Sequence, residues 1–244
     1  MKKSLLFSPF LFLSLSLFSQ AERKFELFLS SGTVVHTIGE NPLQNLWPDS
    51  AEAINGRYYR HIRFSSLPDN TKRTALEASG IKLLYYVSSQ TYVASIASAT
   101  SVSASSFAIE GVYKITPKQK MHLELSYALA TNGFPAYTIN TNGNIGITFT
   151  YYADIPHQLV LDQLAAYEVV YANPNSHRVT VWMPSETIET FIAQSFVCSA
   201  ELKDDLPVHD NNVGRTNHRD NWMAQDFAGG RMYNGSGVNI MLQD

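Results

Sequence analysis

Short apolar runs and short helical stretches follow one another in the order strand–helix–strand–strand–helix–strand, and that order occurs twice. In the first set, Arg57 to Phe64 interleaves aromatic and polar residues as a strand does. Asp69 or Asn70 can cap a helix over Thr71 to Ser79, and Gly80 sits where a helix end favours a left-handed residue. Ile81 to Val87 and Thr91 to Ile96 bracket Ser88-Ser89-Gln90 as a hairpin. The serine-rich Thr100 to Ser106 starts a short helix, and Val112 to Ile115 closes the set as a fourth strand. In the second set, Ile145 to Tyr151 is a strand, and Asp154 or Pro156 opens a helix reaching Ala166. Glu168 to Tyr171 and Arg178 to Met183 are strands. Ser185 caps a helix to Gln194 with Ile188, Phe191 and Ile192 on one face, and Phe196 to Ala200 ends the set. Matched elements lie about 87 residues apart, as Tyr58 with Ile145 and Tyr92 with Val179. Each βαββαβ set predicts an antiparallel sheet with two helices on one face, and the expected fold class is α+β. Residue identity between the halves is low, so a true duplication and two unrelated units both stay open.

Around these sets the chain divides as follows. Residues 1–21 read as a signal peptide: Lys2 and Lys3 precede the apolar run Leu5 to Phe18, and Ser19 and Ala21 supply the small residues of a cleavage site. That run is shorter than the ~20 residues that span a bilayer, so stable membrane insertion is not expected, and the expected location is secreted or at the cell surface. Residues 22–56 form an N-terminal extension with one strand, Lys24 to Leu29, followed by a polar stretch with Pro42 and Pro48. The first unit occupies 57–116 and the second 144–202. Residues 117–143, with Gly133-Phe134-Pro135 and several asparagines, read as a linker, and 203–216 as a second linker that includes the maturation region.

Charge and cysteine content remove several function classes. Lys and Arg total 18 against 21 Asp and Glu, with no clustered basic tract, which argues against nucleic acid as a partner. A single cysteine, Cys198, excludes an intrachain disulfide framework and a cysteine-rich zinc site; it reads as a buried apolar filler. His209-Asp210 and His218-Arg219-Asp220 match no zinc spacing, so no metal ligand set is expected. Tyr58, Tyr59, Tyr85, Tyr86 and Tyr92 are either exposed binding aromatics or half-buried sheet residues.

The text changes at residue 217. A glycine-dense turn, Gly229 to Gly237, feeds the apolar run Val238 to Leu242, which ends Gln243-Asp244. An aspartate at the carboxyl end of such a strand is a common functional position in open α/β sheets, and also a common helix cap. The segment Gly235-Ser236-Gly237-Val238-Asn239-Ile240-Met241-Leu242-Gln243-Asp244 resembles the opening of the catalytic domain of subtilisin-like serine peptidases (subtilases). There a Gly-x-Gly-Val turn leads into the first core strand, which ends on the catalytic aspartate. Gln243 departs from the Leu or Ile usual before it. The order of signal peptide, compact βαββαβ propeptide, linker and catalytic domain also resembles a subtilase precursor. The stretch Phe64 to Ile96 is similar to propeptides of large secreted members.

The resemblance implies a propeptide-type, ferredoxin-like fold for the two units and the first strand of an incomplete α/β subtilase domain over 217–244. It makes Asp244 the catalytic aspartate, which would brace the tautomer of a histidine base. All seven histidines precede Asp244 and no serine nucleophile segment is present, so the 244 residues alone are expected to be inactive as a peptidase. The implied partners are a polypeptide substrate for the full-length form and, for the propeptide, its own catalytic domain, which it would help to fold and inhibit. No cofactor is implied in this chain; calcium stays an option for the full-length protein. The competing expectation is a secreted, non-enzymatic protein of tandem α+β modules that binds peptides or surfaces, with Asp244 incidental.

Overall fold

A computed structural model describes residues 22–49, 52–100 and 102–205. Among these residues the fold is α+β, with three antiparallel sheets. It opens with a hairpin of β1 (Lys24–Leu29) and β2 (Gly32–Thr37), paired along its whole length from Lys24 opposite Thr37 to Leu29 opposite Gly32. The sequence reading anticipated β1 and missed β2. Alternate residues of β2 are only half-buried, so the alternation in Thr33 to Thr37 lacks the large apolar members that mark a strand.

The first four-stranded sheet follows: β3 (Arg57–Phe64), helix α1 (Asn70–Ala78), β4 (Ile81–Tyr86), β5 (Thr91–Ala97), the single turn α2 (Ala104–Phe107) and β6 (Ile109–Lys114). Its strand order is β4-β5-β3-β6. Asp69 caps α1 by accepting the Lys72 N–H at 2.8 Å, satisfying one of the donors a helix start leaves unpaired. Gly80 then takes φ +95°, and a Cβ built there would lie 2.7 Å from Thr100 Oγ1 and 3.2 Å from Ala97 Cβ. Both the backbone angle and the space demand glycine, so Gly80→Ala should cost about 1–3 kcal/mol, readable as a lower midpoint in urea unfolding; an unchanged midpoint would contradict the assignment.

Between the sheets the expected linker is largely helical. Helix α3 (Pro117–Lys120) and helix α4 (Leu123–Thr131) fill most of its first half. The Gln119 side chain accepts the Thr116 N–H at 2.9 Å, and Pro117 starts α3, where its missing N–H costs nothing. Asn132 ends α4 in the left-handed region, and the Gly133 N–H bonds back to the Ala128 carbonyl at 3.0 Å. Asn132 and Gly133, in the stretch that read as a linker, are thus a helix stop.

The second four-stranded sheet comprises β7 (Ile145–Tyr151), α5 (His157–Gln163), β8 (Glu168–Asn173), β9 (Arg178–Met183), α6 (Ile188–Ile192) and β10 (Val197–Leu202), in the order β10-β7-β9-β8. Ser185 does not cap a helix: residues Ser185–Thr187 form a 3-10 turn behind Pro184, and the Ser185 hydroxyl donates to Glu186 instead. Ile188, Phe191 and Ile192 are nevertheless buried on one face, as their spacing requires.

Among the described residues two apolar clusters hold the fold. One gathers Tyr58, Ile62, Phe64, Leu76, Ile81, Ile96 and Val112 with Leu46. The other gathers Ile147, Phe149, Val179, Val181, Phe191 and Phe196, and it also takes Met121 and Leu125 from the helical connector and Tyr59 and Val93 from the first sheet. The central strands β3 and β5 are therefore covered on both faces.

Candidate functional site

Asp244 and the glycine-rich segment before it lie outside the described residues, as do the signal peptide, His209 and His218. Within the described residues, polar chemistry concentrates on the face of the first sheet that points away from α1. Arg57 on β3 and Ser95 on β5 meet the carboxylate of Asp154, just beyond β7. Arg57 Nε lies 3.2 Å from Asp154 Oδ2, and the Ser95 hydroxyl donates to the same oxygen. The Tyr59 hydroxyl donates to Asp154 Oδ1 at 2.8 Å. The Tyr59 and Tyr152 rings stack with centroids 3.6 Å apart. Burial, with the Asp154 carboxylate beside it, holds the Tyr59 phenol well above its ordinary pKa, so it stays a donor. Of the two residues expected to open the helix, Asp154 or Pro156, it is Pro156 that takes the position before α5, while the aspartate ties the two sheets together.

The rest of that face is covered by the β1–β2 hairpin. Phe25 packs edge-on against Tyr113 at 5.3 Å, and the Arg63 guanidinium sits 4.4 Å over the Phe25 ring. Two side-chain bonds tie β1 to the β4–β5 turn, Phe28 N–H to Ser88 Oγ at 3.1 Å and Ser89 Oγ to the Glu26 carbonyl at 2.7 Å. Tyr58, Tyr59 and Tyr92 are consequently buried, whereas Tyr85 and Tyr86 on the edge strand β4 are exposed. The five tyrosines do not form one binding face.

The corresponding face of the second sheet is polar. Thr148 and Thr180 share a 2.9 Å hydroxyl bond across β7 and β9, Thr150 and Ser199 one of 2.7 Å across β7 and β10. Arg178 pairs with Glu201 at 2.8 Å, and Lys203 lies 5.7 Å over the Trp182 ring. Next to this face, the edge strand β8 exposes Val169, Val170 and Tyr171. The other edge, β10, is bridged by Met121.

Two further buried titratable groups lie on β3 and α3. Lys120 donates to the carbonyls of Ile192 and Gln194 at the end of α6, and burial lowers its pKa to about 8. His61 is 2% exposed, its Nδ1 has no partner, and burial lowers its pKa to about 4. Cys198 is half-buried rather than a sealed core residue, with its Sγ 2.9 Å from the Tyr85 hydroxyl. Among the described residues no group of three or more His, Cys, Asp or Glu side chains is placed to hold a metal ion. None of their helices is long and apolar enough to cross a membrane.

Residues 28–116 match a family described as a domain of unknown function (DUF8729). That range begins inside β1 and ends just after β6, so the end of β1, all of β2 and the first four-stranded sheet fall within it. No curated protein and no solved structure matches the chain.

Proposed function

We propose that this chain is the N-terminal part of a secreted subtilisin-like serine endopeptidase precursor, in which the two sheets form the propeptide and Asp244 supplies the triad carboxylate. The observation that carries this reading is the pairing, in one chain, of a four-stranded sheet with the order β10-β7-β9-β8 and the downstream segment Gly235 to Asp244. By position within its set, each sheet has the order fourth, first, third, second, which supports the ferredoxin-like reading of the two units. Helix α5 follows α1, β8 follows β4 and β9 follows β5, each by 87 residues, which supports a tandem origin. The first sheet spends its non-helical face on Tyr152, Asp154 and the hairpin. The polar face of the second sheet, with Arg178, Trp182 and Glu201, is the surface assigned to the catalytic domain.

Asp244 would accept the Nδ1 proton of the catalytic histidine, fix its tautomer and stabilise the imidazolium formed when the histidine takes the serine proton. The polypeptide after β10 would then approach the cleft as an extended, substrate-like strand. Two measurements test this. The reading frame beyond codon 244 should encode a histidine and later a Gly-Thr-Ser nucleophile segment. Purified residues 22–205 should inhibit the peptidase from that frame competitively, and Trp182→Ala should weaken inhibition roughly tenfold. Absence of the histidine and serine, with no inhibition, would leave the tandem binding module as the reading.

A further inference from the structure

A cavity of about 370 Å³ opens where the β1–β2 hairpin, the first sheet and β10 meet. Its walls include Phe28 from β1, Tyr85 and Tyr86 from β4, Tyr152 just past β7 and Cys198 from β10, with His61 from β3 as the deeply buried polar member. Among the described residues no Asp, Glu, Lys or Arg lines it, so a charged ligand would enter without a counter-charge, at a desolvation cost nothing offsets. The volume falls in the range of small-molecule pockets, about 300–1,000 Å³.

The hydroxyls of the edge tyrosines are already engaged. Tyr85 shares its hydroxyl with Cys198 Sγ at 2.9 Å, and Tyr86 accepts the Gln90 N–H at 3.4 Å. What they offer an occupant is chiefly ring surface, which favours a planar aromatic partner in offset or edge-on contact. His61 is the exception. Its ring lines the cavity, and its Nδ1, shut off from solvent, has no hydrogen-bond partner, so the protein leaves the imidazole's hydrogen-bonding capacity unmet. Burial keeps the ring neutral at ordinary pH, so one ring nitrogen is an acceptor for an O–H or N–H.

We propose that this cavity binds an uncharged aromatic ring carrying one O–H or N–H donor, of the phenol or indole class, with His61 as the acceptor and the aromatic walls as the clamp. The site is independent of the protease reading, since it uses the described sheets alone.

Calorimetric titration of the full chain with phenol, indole and toluene tests it. Phenol and indole should saturate one site, and toluene should bind about tenfold more weakly, the worth of one hydrogen bond. His61→Phe should retain toluene binding and lose the preference for phenol. Phe28→Ala, at a side chain 61% exposed and therefore safe for folding, should weaken phenol several-fold. Equal affinity of the native chain for phenol and toluene would mean that His61 accepts no hydrogen bond from the occupant, and would overturn the proposal; so would the lack of saturable phenol binding at millimolar concentration. N-acetyl-tyrosinamide and a tyrosine-bearing extended peptide distinguish the source. Binding of the peptide marks a protein side chain as the occupant, whereas binding of free phenol alone marks a small molecule, and either result sustains the site.

Discussion

Replacing Asp154 with alanine should lower the stability of the described fold by about 3 kcal/mol, near the lower end for breaking a buried ion pair, because the Arg57 side chain keeps 28% exposure. Three groups from the first sheet converge on this one carboxylate: the Arg57 guanidinium, the Ser95 hydroxyl and the Tyr59 hydroxyl. Truncation takes the acceptor from both hydroxyls and the counter-charge from Arg57, which keeps only its bonds to Ser95 and the Gly80 carbonyl, in a place where water replaces the carboxylate poorly. For a protein of this size the corresponding drop in Tm is about 6–12 °C. Asp154→Asn should cost less, since an amide oxygen still accepts from Tyr59 while the charge is lost. A double-mutant cycle with Tyr59→Phe should return a coupling of about 1 kcal/mol or more. If Asp154→Ala and wild type unfold within 0.5 kcal/mol of one another, a difference typical of about any surface substitution, the carboxylate does not join the sheets.

Acid should destabilise the protein through His61. The folded-state pKa is about 4, against an unfolded value of 6.5. Above pH 6.5 both states carry a neutral ring and the residue contributes no pH dependence. Between 6.5 and about 4 the unfolded chain binds the proton and the folded chain does not, so stability falls as pH falls. Below about 4 the loss levels off at roughly 3 kcal/mol. His36, which lies close enough to His61 to oppose its protonation and is itself pushed down by burial, adds a smaller component of the same sign. His61→Phe should flatten the stability profile between pH 7 and 4 measured by urea unfolding. An unaltered slope in that variant would place the acid sensitivity elsewhere.

The strands of both sheets were legible because their residues alternate and their turns carry Asp69, Gly80 and the Ser88-Ser89-Gln90 bend. β2 was not, because only small or half-exposed residues mark its inward face. Helix α4 was hidden for a different reason: its buried side is no more than Leu125 and Ala128, and its stop residues look like a linker. The contact around Asp154 could not be read at all. Arg57 and Tyr59 sit roughly a hundred positions away from it, 95 in the case of Tyr59, and an aspartate ahead of a helical pattern is locally indistinguishable from a cap. His61 gave no warning either, since a histidine in an aromatic strand does not say which face it occupies when both faces are covered. The expected catalytic residue, Asp244, rests on its motif alone.

The distance along the chain between Arg57 and Asp154 also bears on how the molecule is made. Synthesis proceeds from the amino end, and domains generally fold as they emerge. The first sheet and its hairpin can assemble once β6 has appeared, yet the side of that sheet bearing Arg57, Tyr59 and Ser95 must then wait until Tyr152 and Asp154 are translated. During that interval a nascent chain presents an unshielded aromatic and cationic surface. A pause in elongation between codons 116 and 154 should therefore be the moment of greatest dependence on chaperones.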